Sequence, residues 1–332
     1  MTNGDTILVR VDEASQIGEA RRTARRLAGD LGLDDVVAER AAIVASEAAR
    51  NLVAHGGGGV VCVQPLGHPP RGVAVVALDR GRGIEDLPRA MRDGHSTAGT
   101  PGEGLGAMAR VGDAFDVWSA PGKGTALVAE VWAERPPASQ VATGAISVAT
   151  AGERVCGDGW LVVEQAGRAV LAVVDGLGHG PHAADAAHVA LEAIRKAADE
   201  PPREIVGRAH AALRATRGAA LAVASLDLGT GALRYSGLGN VVGAIVGTGA
   251  VRRLVSLAGT AGHAARSIHE YAYEVPEGAV LVMHSDGIAT HWDAAAYPGL
   301  LARHPALVAG VLFRDHARGR DDATVLVARR GV

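Results

Sequence analysis

Residues 173–180 read Val173-Val174-Asp175-Gly176-Leu177-Gly178-His179-Gly180, an apolar run that ends in an aspartate among glycines. The run is typical of a buried strand that stops at the acid. Acidic residues also follow apolar strands or occupy tight turns in Cys156-Gly157-Asp158, His284-Ser285-Asp286-Gly287 and Asp321-Asp322. Carboxylates gathered in this way repel one another unless a cation neutralises them, and oxygen ligands favour Mg²⁺ or Mn²⁺. The motifs predict a two-metal site suited to phosphate ester hydrolysis.

The sequence around these motifs predicts many short strands and few helices. Strands are expected at 144–149, 159–164, 169–174, 219–227, 232–238, 241–247, 250–255 and 279–284, and helices at 181–198 and 203–215. This pattern is typical of stacked sheets flanked by helices. A polar, proline-containing stretch at 134–140 has the composition of a linker. We therefore predict a first domain at 1–134, a linker at 135–142 and a second domain at 143–332.

The sequence pattern of the first domain predicts an α/β sandwich. Its expected strands are 5–11, 60–64, 73–78, 115–119 and 125–132, and its expected helices are 15–31, 36–54 and a short one that ends near 112. Asp34 or Asp35 should cap the second of these helices.

Four motifs in this domain occur in an order that suits a nucleotide. Glu47 and Asn51 lie one helical turn apart on one face. Asp79 lies at the end of a predicted strand. Gly81 and Gly83 follow it, and glycines let a flat ring approach the backbone. Further glycines open a helix whose free N–H groups suit phosphate, at Gly102, Gly104 and Gly106, and Thr125 starts the last strand.

Composition excludes several classes of function. The chain has 332 residues, and 33 Lys and Arg against 36 Asp and Glu give a net charge of −3, so there is no basic field for nucleic acid or anionic lipid. The two cysteines, Cys62 and Cys156, have no zinc-binding or disulfide spacing. No window approaches the roughly 18 apolar residues of a membrane span, and no signal peptide is evident. We expect a cytoplasmic protein.

The first-domain motifs resemble the ATP-binding fold shared by gyrase, Hsp90, histidine kinases and MutL, and within it the RsbT type of serine kinase. The resemblance covers about residues 5–133 and rests on Ser-Glu-Ala-Ala-Arg-Asn at 46–51, Asp-Arg-Gly-Arg-Gly-Ile at 79–84 and the Gly-rich stretch before 106, with Ser96 and Thr97 in its lid. It implies that Asp79 receives the adenine amino group, Asn51 holds Mg²⁺ and Glu47 activates the acceptor hydroxyl. It further implies that Gly102, Gly104 and Gly106 cradle phosphate and that Thr125 supports the adenine end.

The second-domain motifs resemble the metal-dependent serine/threonine phosphatases of the PPM and SpoIIE type over residues 144–330, and within them the RsbX type. The resemblance implies that Asp158 and Asp175 bridge two Mn²⁺ or Mg²⁺ ions, that the Gly176 carbonyl joins one ion, and that Asp286 and Asp321 complete the other. It makes Asp322 a supporting residue or the ligand of a third ion. Larger relatives place a histidine where this chain has Leu177, so the role of leaving-group acid is not transferred to His179.

Together the resemblances imply an α+β protein of two domains, a GHKL-type ATPase sandwich followed by an αββα phosphatase. The implied function is a bifunctional regulator of a sigma-factor or stressosome pathway that phosphorylates and dephosphorylates Ser or Thr of STAS-domain proteins. Two alternatives stay open. The first domain could only bind ATP and a partner while the phosphatase alone turns over, or the chain could be a direct anti-sigma factor.

Overall fold

The computed structural model describes residues 5–91, 104–137, 139–165, 167–247, 250–265 and 267–331. The chain forms two units, of which one comprises the described residues of Thr6–Pro137 together with Tyr297–Arg314. The other contains the described residues of Ala138–Ala296 and Asp315–Val332. The division at residue 137 falls within the predicted linker, whereas residues 297–314, expected in the second domain, group with the first unit. None of the described helices is long and apolar enough to cross a membrane.

The first unit, which we call the ATPase unit after the family that its motifs resemble, is one antiparallel sheet whose first two helices pack on one face. The strand order is β1-β2-β3-β5-β4. The strands are β1 (Ile7–Val11), β2 (Gly59–Leu66), β3 (Gly72–Leu78), β4 (Ala114–Ser119) and β5 (Thr125–Trp132), and the helices are α1 (Ile17–Asp30), α2 (Asp35–Asn51), α3 (Leu87–Ala90) and α4 (Gly104–Val111).

Helix α2 carries two of the predicted site residues, and its ends are set by local sequence. Asp34 caps it, with the Val37 N–H donating to Asp34 Oδ1 at 2.8 Å. Alanine and valine at helical spacing bury one face of α2 against α1 and the sheet. After Asn51 the chain makes a π-helical turn, Leu52–Gly56, which ends at Gly57 in the left-handed conformation. The predicted helix is therefore confirmed, and Glu47 and Asn51 lie near its C-terminal end.

The second unit, which we call the phosphatase unit after the family that its motifs resemble, contains two sheets. One has the order β13-β10-β9-β8-β7, with β14 also paired to β10, and the other has the order β12-β11-β15-β16-β6. The strands are β6 (Val141–Val148), β7 (Asp158–Gln165), β8 (Arg168–Gly176), β9 (Ala219–Asp227), β10 (Ala232–Leu238), β11 (Val242–Gly247), β12 (Ala250–Arg253), β13 (Ser256–Leu257), β14 (Tyr271–Glu274), β15 (Val280–His284) and β16 (Ala323–Arg330). Helices α5 (Pro181–Lys196) and α6 (Pro202–Ala212) follow β8.

Two apolar layers hold the phosphatase unit together. One layer fills the space between its sheets and includes Leu171 of β8, Tyr235 of β10 and Met283 of β15. The other lies between the first sheet and the two helices and includes Val174, Ile194 and Ile205. The helix–sheet–sheet layering places the ends of β7 and β8 beside the start of α5. The expected α+β class with two domains is confirmed.

A further helix, α7 (Pro305–His316), follows β15 in the chain and was not predicted from sequence. Its first eight residues are all buried, and they leave no polar stripe for a periodicity analysis to detect. Residues 297–314, which include most of α7, lie with the ATPase unit. A Cβ atom on Gly310 would meet Leu78 Cδ2 of β3 at 2.9 Å, so this helix packs closely on the ATPase sheet.

Candidate active sites

Asp79 lies at the end of β3 and is 8% exposed. Its Oδ1 accepts hydrogen bonds from the N–H groups of Gly81 at 2.8 Å and Thr125 at 3.1 Å. Burial raises the pKa of Asp79, while these two bonds and the nearby Arg314 and His55 oppose the rise. Because both backbone bonds end on Oδ1, Oδ2 is the oxygen that a ligand can meet.

Glu47 and Asn51 lie on neighbouring turns of α2, as the sequence predicts. Glu47 forms an ion pair with Arg50, and 22% of the Glu47 side chain is exposed. The Nδ2 atom of Asn51 is buried and has no hydrogen-bond partner among the described residues. A buried N–H donor without a partner is costly, so Nδ2 fits donation to a bound ligand, whereas a metal ion would be held by the amide oxygen, Oδ1.

The glycines of the ATPase unit bring its backbone close to these side chains. Gly104 begins α4 directly against Asn51, since a Cβ at Gly104 would lie 2.9 Å from Asn51 Oδ1. Gly106 lies in the first turn of the same helix, whose free N–H groups can face an anion. Gly83 has φ +75°, and a Cβ there would meet the Ala120 carbonyl oxygen at 2.1 Å. Gly102 and the Ser96-Thr97 stretch lie outside the described residues.

Ser119 is a site residue that sequence reasoning missed. Its Oγ accepts from the Ile84 N–H at 2.8 Å and lies 3.0 Å from Thr125 Oγ1. The same hydroxyl donates to the Gly124 carbonyl at 3.0 Å. Ser119 thus joins the loop after Asp79 to the start of β5, and only its place at the end of the predicted strand 115–119 could have marked it.

In the phosphatase unit, Asp158 and Asp175 are brought together by strand register. Asp158 begins β7 and pairs with Asp175 near the end of β8. Gly176 follows at a position without space for a side chain, because a Cβ would meet the Ala183 carbonyl oxygen at 2.1 Å. The Gly176 N–H donates to the Gly157 carbonyl at 3.0 Å. The two predicted bridging acids are therefore neighbours on adjacent strands.

Two polar residues that sequence reasoning did not single out orient two of the predicted metal-binding acids, Asp158 and Asp286. Ser285 Oγ donates to Asp158 Oδ2 at 2.6 Å and accepts from the Thr324 N–H at 3.0 Å. Asn240 Nδ2 donates to Asp286 Oδ2 at 2.7 Å. The sequence signal for both was their motif, since Ser285 precedes Asp286 and Asn240 lies in Gly-Leu-Gly-Asn-Val at 237–241.

The two acids after α7 differ in their contacts. Asp322 accepts the Thr150 N–H on Oδ1 and the Gly157 N–H on Oδ2, each at 2.7 Å. Asp321 Oδ1 accepts the N–H of Asp322 at 2.9 Å. Because both oxygens of Asp322 hold backbone groups, its geometry favours the supporting role over direct coordination.

Electrostatic interactions connect the acids of this unit. Burial raises the pKa of Asp158, and burial together with the charges of Asp158, Asp286 and Asp321 raises the pKa of Asp175. In the part of the chain that the structure describes, no three Asp, Glu, His or Cys side chains lie close enough to hold one metal ion. Even so, mutually repelling carboxylates are the donor set that Mg²⁺ and Mn²⁺ prefer, so the residues fit such ions in chemistry.

Family comparisons cover both halves of the chain. Residues 165–331 match the Stage II sporulation protein E (SpoIIE) family, and residues 11–150 match the histidine kinase-like ATPase domain. The first match includes Asp175, Asp286, Asp321 and Asp322 but begins after Asp158.

The chain is also similar to individual proteins. The serine/threonine-protein kinase RsbT of Bacillus subtilis (strain 168) is 34% identical over 129 residues, which cover 39% of this chain and 97% of RsbT. A solved structure from a study of the bacterial stressosome is 30% identical, with a TM-score of 0.54 and coverage of 57% of this chain and 100% of its own. A crystal structure of RsbX with magnesium is 17% identical, with a TM-score of 0.49 and coverage of 59% and 98%.

The SpoIIE match spans half of the chain, and the match to RsbT covers nearly all of that kinase. Both agree with the two units seen in the structure, a helix-backed antiparallel sheet and a pair of stacked sheets. The chain belongs to the SpoIIE phosphatase family through its second half and carries a histidine kinase-like ATPase domain of the RsbT type in its first.

Proposed function

We propose that the chain is a bifunctional regulator that phosphorylates Ser or Thr of a STAS-domain partner with its ATPase unit and dephosphorylates it with its phosphatase unit. The observation that carries the proposal is the pairing, in one chain, of an RsbT-like domain with Glu47 and Asn51 on adjacent turns and a SpoIIE domain with clustered carboxylates. A kinase and the hydrolase that reverses it imply one shared class of substrate.

In the kinase reaction Asp79 Oδ2 would accept the adenine amino group, while the first turn of α4 would receive phosphate. Mg²⁺, when bound by Asn51, would neutralise phosphate charge. Glu47 would take the proton from the acceptor hydroxyl as that oxygen attacks the γ-phosphorus, and ADP would leave with the electrons of the broken P–O bond.

In the phosphatase reaction water cleaves the phosphoserine or phosphothreonine ester and yields the free hydroxyl and inorganic phosphate. Two Mn²⁺ or Mg²⁺ ions, when held by Asp158, Asp175, Asp286, Asp321 and the Gly176 carbonyl, would supply the positive charge and activate water. Ser285 and Asn240 would keep two of these carboxylates oriented. The Leu177 side chain, 51% exposed beside Gly176, would contact the protein substrate.

One contact bears on the alternative in which only the phosphatase is active. Glu47 is engaged by Arg50 in an ion pair, and a carboxylate held in this way must exchange partners before it can accept a proton. The exposure of Arg50, whose side chain is 51% accessible, makes that exchange inexpensive.

The experiment is to incubate the full chain with γ-labelled ATP, Mg²⁺ and a purified STAS-domain protein, and then to add excess unlabelled ATP together with either Mn²⁺ or an excess of EDTA. We expect label on the partner in the first step and, in the second, its loss as phosphate with Mn²⁺ but not with EDTA. A chain that transfers no label, yet removes it from a partner labelled by another kinase, supports the ATP-binding alternative. A partner already labelled by another kinase that keeps its label with Mn²⁺ present would exclude the phosphatase proposal.

A further inference from the structure

One segment of the SpoIIE-matched half completes the ATPase unit. Residues 297–314 lie between β15 and β16 in the chain and within the SpoIIE match, yet they group with residues 6–137. The segment is thus joined at both of its ends to strands of the phosphatase unit. The chain therefore connects this segment directly to β15 on one side and to β16 on the other.

The first part of the segment is fixed to strand β4. The Pro298 carbonyl accepts from Trp118 Nε1 at 3.0 Å, and the His304 N–H donates to Asp116 Oδ2 at 2.7 Å. The ring of Tyr297 lies 6.0 Å from that of Trp118. These are side-chain to backbone bonds of good length, so they specify where the segment lies on the sheet.

The last part of the segment reaches the loop that carries Asp79. Arg314 Nη1 donates to the Asp79 carbonyl oxygen at 2.6 Å, and Arg80 donates in return to the Arg314 carbonyl. The Arg314 guanidinium carbon lies 6.0 Å from the centre of the Trp118 ring. Arg314 therefore fixes the main chain of the residue whose carboxylate Gly81 and Thr125 orient.

We propose that Arg314 is a positioning residue for nucleotide binding, and that segment 297–314 links nucleotide occupancy of the ATPase unit to the activity of the phosphatase unit. The inference rests on the proposed function in taking Asp79 as the base-binding acid. From Arg314 the chain runs through six residues to Asp321, one of the proposed metal ligands. Coupling of this kind is reciprocal, so a change at the metal site would alter nucleotide affinity as nucleotide alters phosphatase activity.

The first test measures binding of a fluorescent ATP analogue to the full chain. Arg314→Ala should weaken binding about tenfold, within the range of typical couplings, and Arg314→Lys should restore part of the loss because lysine can still donate to one carbonyl. Arg303→Ala is the matched control. Arg303 lies in the same segment and forms an ion pair with Asp116 of β4, and it makes no hydrogen bond to Asp79 in the described structure. Its binding should stay within about twofold of the parent, as expected for an exposed ion pair.

The second test measures hydrolysis of p-nitrophenyl phosphate in saturating Mn²⁺, with and without ADP. We expect ADP to change the turnover of the parent chain about threefold or more, and Arg314→Ala to lose that response even at saturating ADP. Asp79→Asn controls for removal of Mn²⁺ by the nucleotide. At an ADP concentration near the parent's dissociation constant this variant is mostly unoccupied, so a response as large as the parent's would come from chelation.

The outcomes separate this inference from the proposed function. If the parent binds the analogue, Asp79→Asn binds it about tenfold more weakly, and Arg314→Ala binds as the parent does, the positioning role is overturned while the nucleotide site stands. If ADP leaves parent turnover unchanged, the link to the phosphatase is overturned. If the parent chain itself does not bind the analogue, both fail. Far-UV circular dichroism and the melting temperature verify that each variant is folded.

Discussion

The two candidate sites hold their acidic groups in opposite ways. In the ATPase unit one buried acid, Asp79, is fixed by two backbone N–H groups that end on a single oxygen. In the phosphatase unit Asp158 and Asp175 lie opposite each other, and nearby acids add repulsion that raises the pKa of Asp175 beyond the effect of burial. The first arrangement suits a neutral hydrogen-bond donor such as an amino group. The second becomes favourable only with cations, so the two sites should respond differently to the same change of residue.

The largest effect is expected at Glu47. Glu47→Gln should lower the rate of phosphoryl transfer about 10²- to 10⁴-fold, because an amide cannot take the proton of the acceptor hydroxyl. ATP affinity and phosphatase turnover should remain near those of the parent. Transfer is measured with γ-labelled ATP and a STAS-domain protein. Glu39→Gln is the control, since Glu39 lies on the same helix in an exposed pair with Arg21. Undiminished transfer by Glu47→Gln would show that another group acts as the base.

The next effect concerns Asp175. Asp175→Asn should reduce phosphatase turnover at least about 100-fold. Replacing a residue that only supports a metal ligand already lowers metal affinity or activity about 10- to 100-fold, and Asp175 is a proposed ligand itself. Labelled-ATP transfer by the ATPase unit should persist. The control is Asp185→Asn on α5, whose side chain is 78% exposed. If turnover in excess Mn²⁺ is unaffected by Asp175→Asn, or if the parent is fully active in EDTA, the metal proposal is wrong.

A smaller effect is expected at Asp79. Asp79→Asn should weaken ATP binding about tenfold, the loss of one charge-assisted hydrogen bond of about 1.5 kcal/mol. The amide oxygen of asparagine can still accept from Gly81 and Thr125, so the loop should keep its shape. Asp30→Asn at the exposed end of α1 is the control. Equal ATP affinity of Asp79→Asn and the parent would remove Asp79 from the base site.

Local patterns were enough to predict many elements of the fold and several site positions. The cap at Asp34, the helix that carries Glu47 and Asn51, and the strand that ends at Asp175 follow from short-range spacing. The roles of Ser119, Ser285 and Asn240 were not predicted, because a single polar residue produces no periodic pattern in the sequence. Their roles appear only once strands distant in sequence lie side by side.

Helix α7 was not predicted from the sequence for a different reason. Its residues Pro305 to Leu312 are buried all round, so the segment has no amphipathic stripe, and its apolar run is short. Its grouping with the ATPase unit depends on contacts such as that of Arg314 with Asp79, which are 235 positions apart. No rule of composition or spacing reaches that far. The segment was therefore assigned to the second domain by its place in the chain alone.

The smallest effect is on stability, and it tests the contrast between the sites most directly. Mn²⁺ at about 100 times its dissociation constant should stabilise the phosphatase unit by about 2.7 kcal/mol. For a unit of this size that corresponds to a rise in melting temperature of roughly 5–10 °C. Because the chain has two units, calorimetry should resolve more than one transition, and only that of the phosphatase unit should move with Mn²⁺ in the absence of nucleotide.

Asp175→Asn makes this measurement decisive, because burial and the neighbouring acids make an ionised carboxylate unfavourable at this position, and asparagine is neutral. Without divalent ions the variant should melt at a higher temperature than the parent near neutral pH, since its folded state needs neither a charge nor a bound proton at this position. With Mn²⁺ the order should reverse, because the variant has lost a proposed ligand. Asp79→Asn should show neither change, as that acid has no such cluster around it. An equal Mn²⁺ shift in the parent and in Asp175→Asn would mean that the ion binds elsewhere, and that clustered charge in the phosphatase unit is not what the cation relieves.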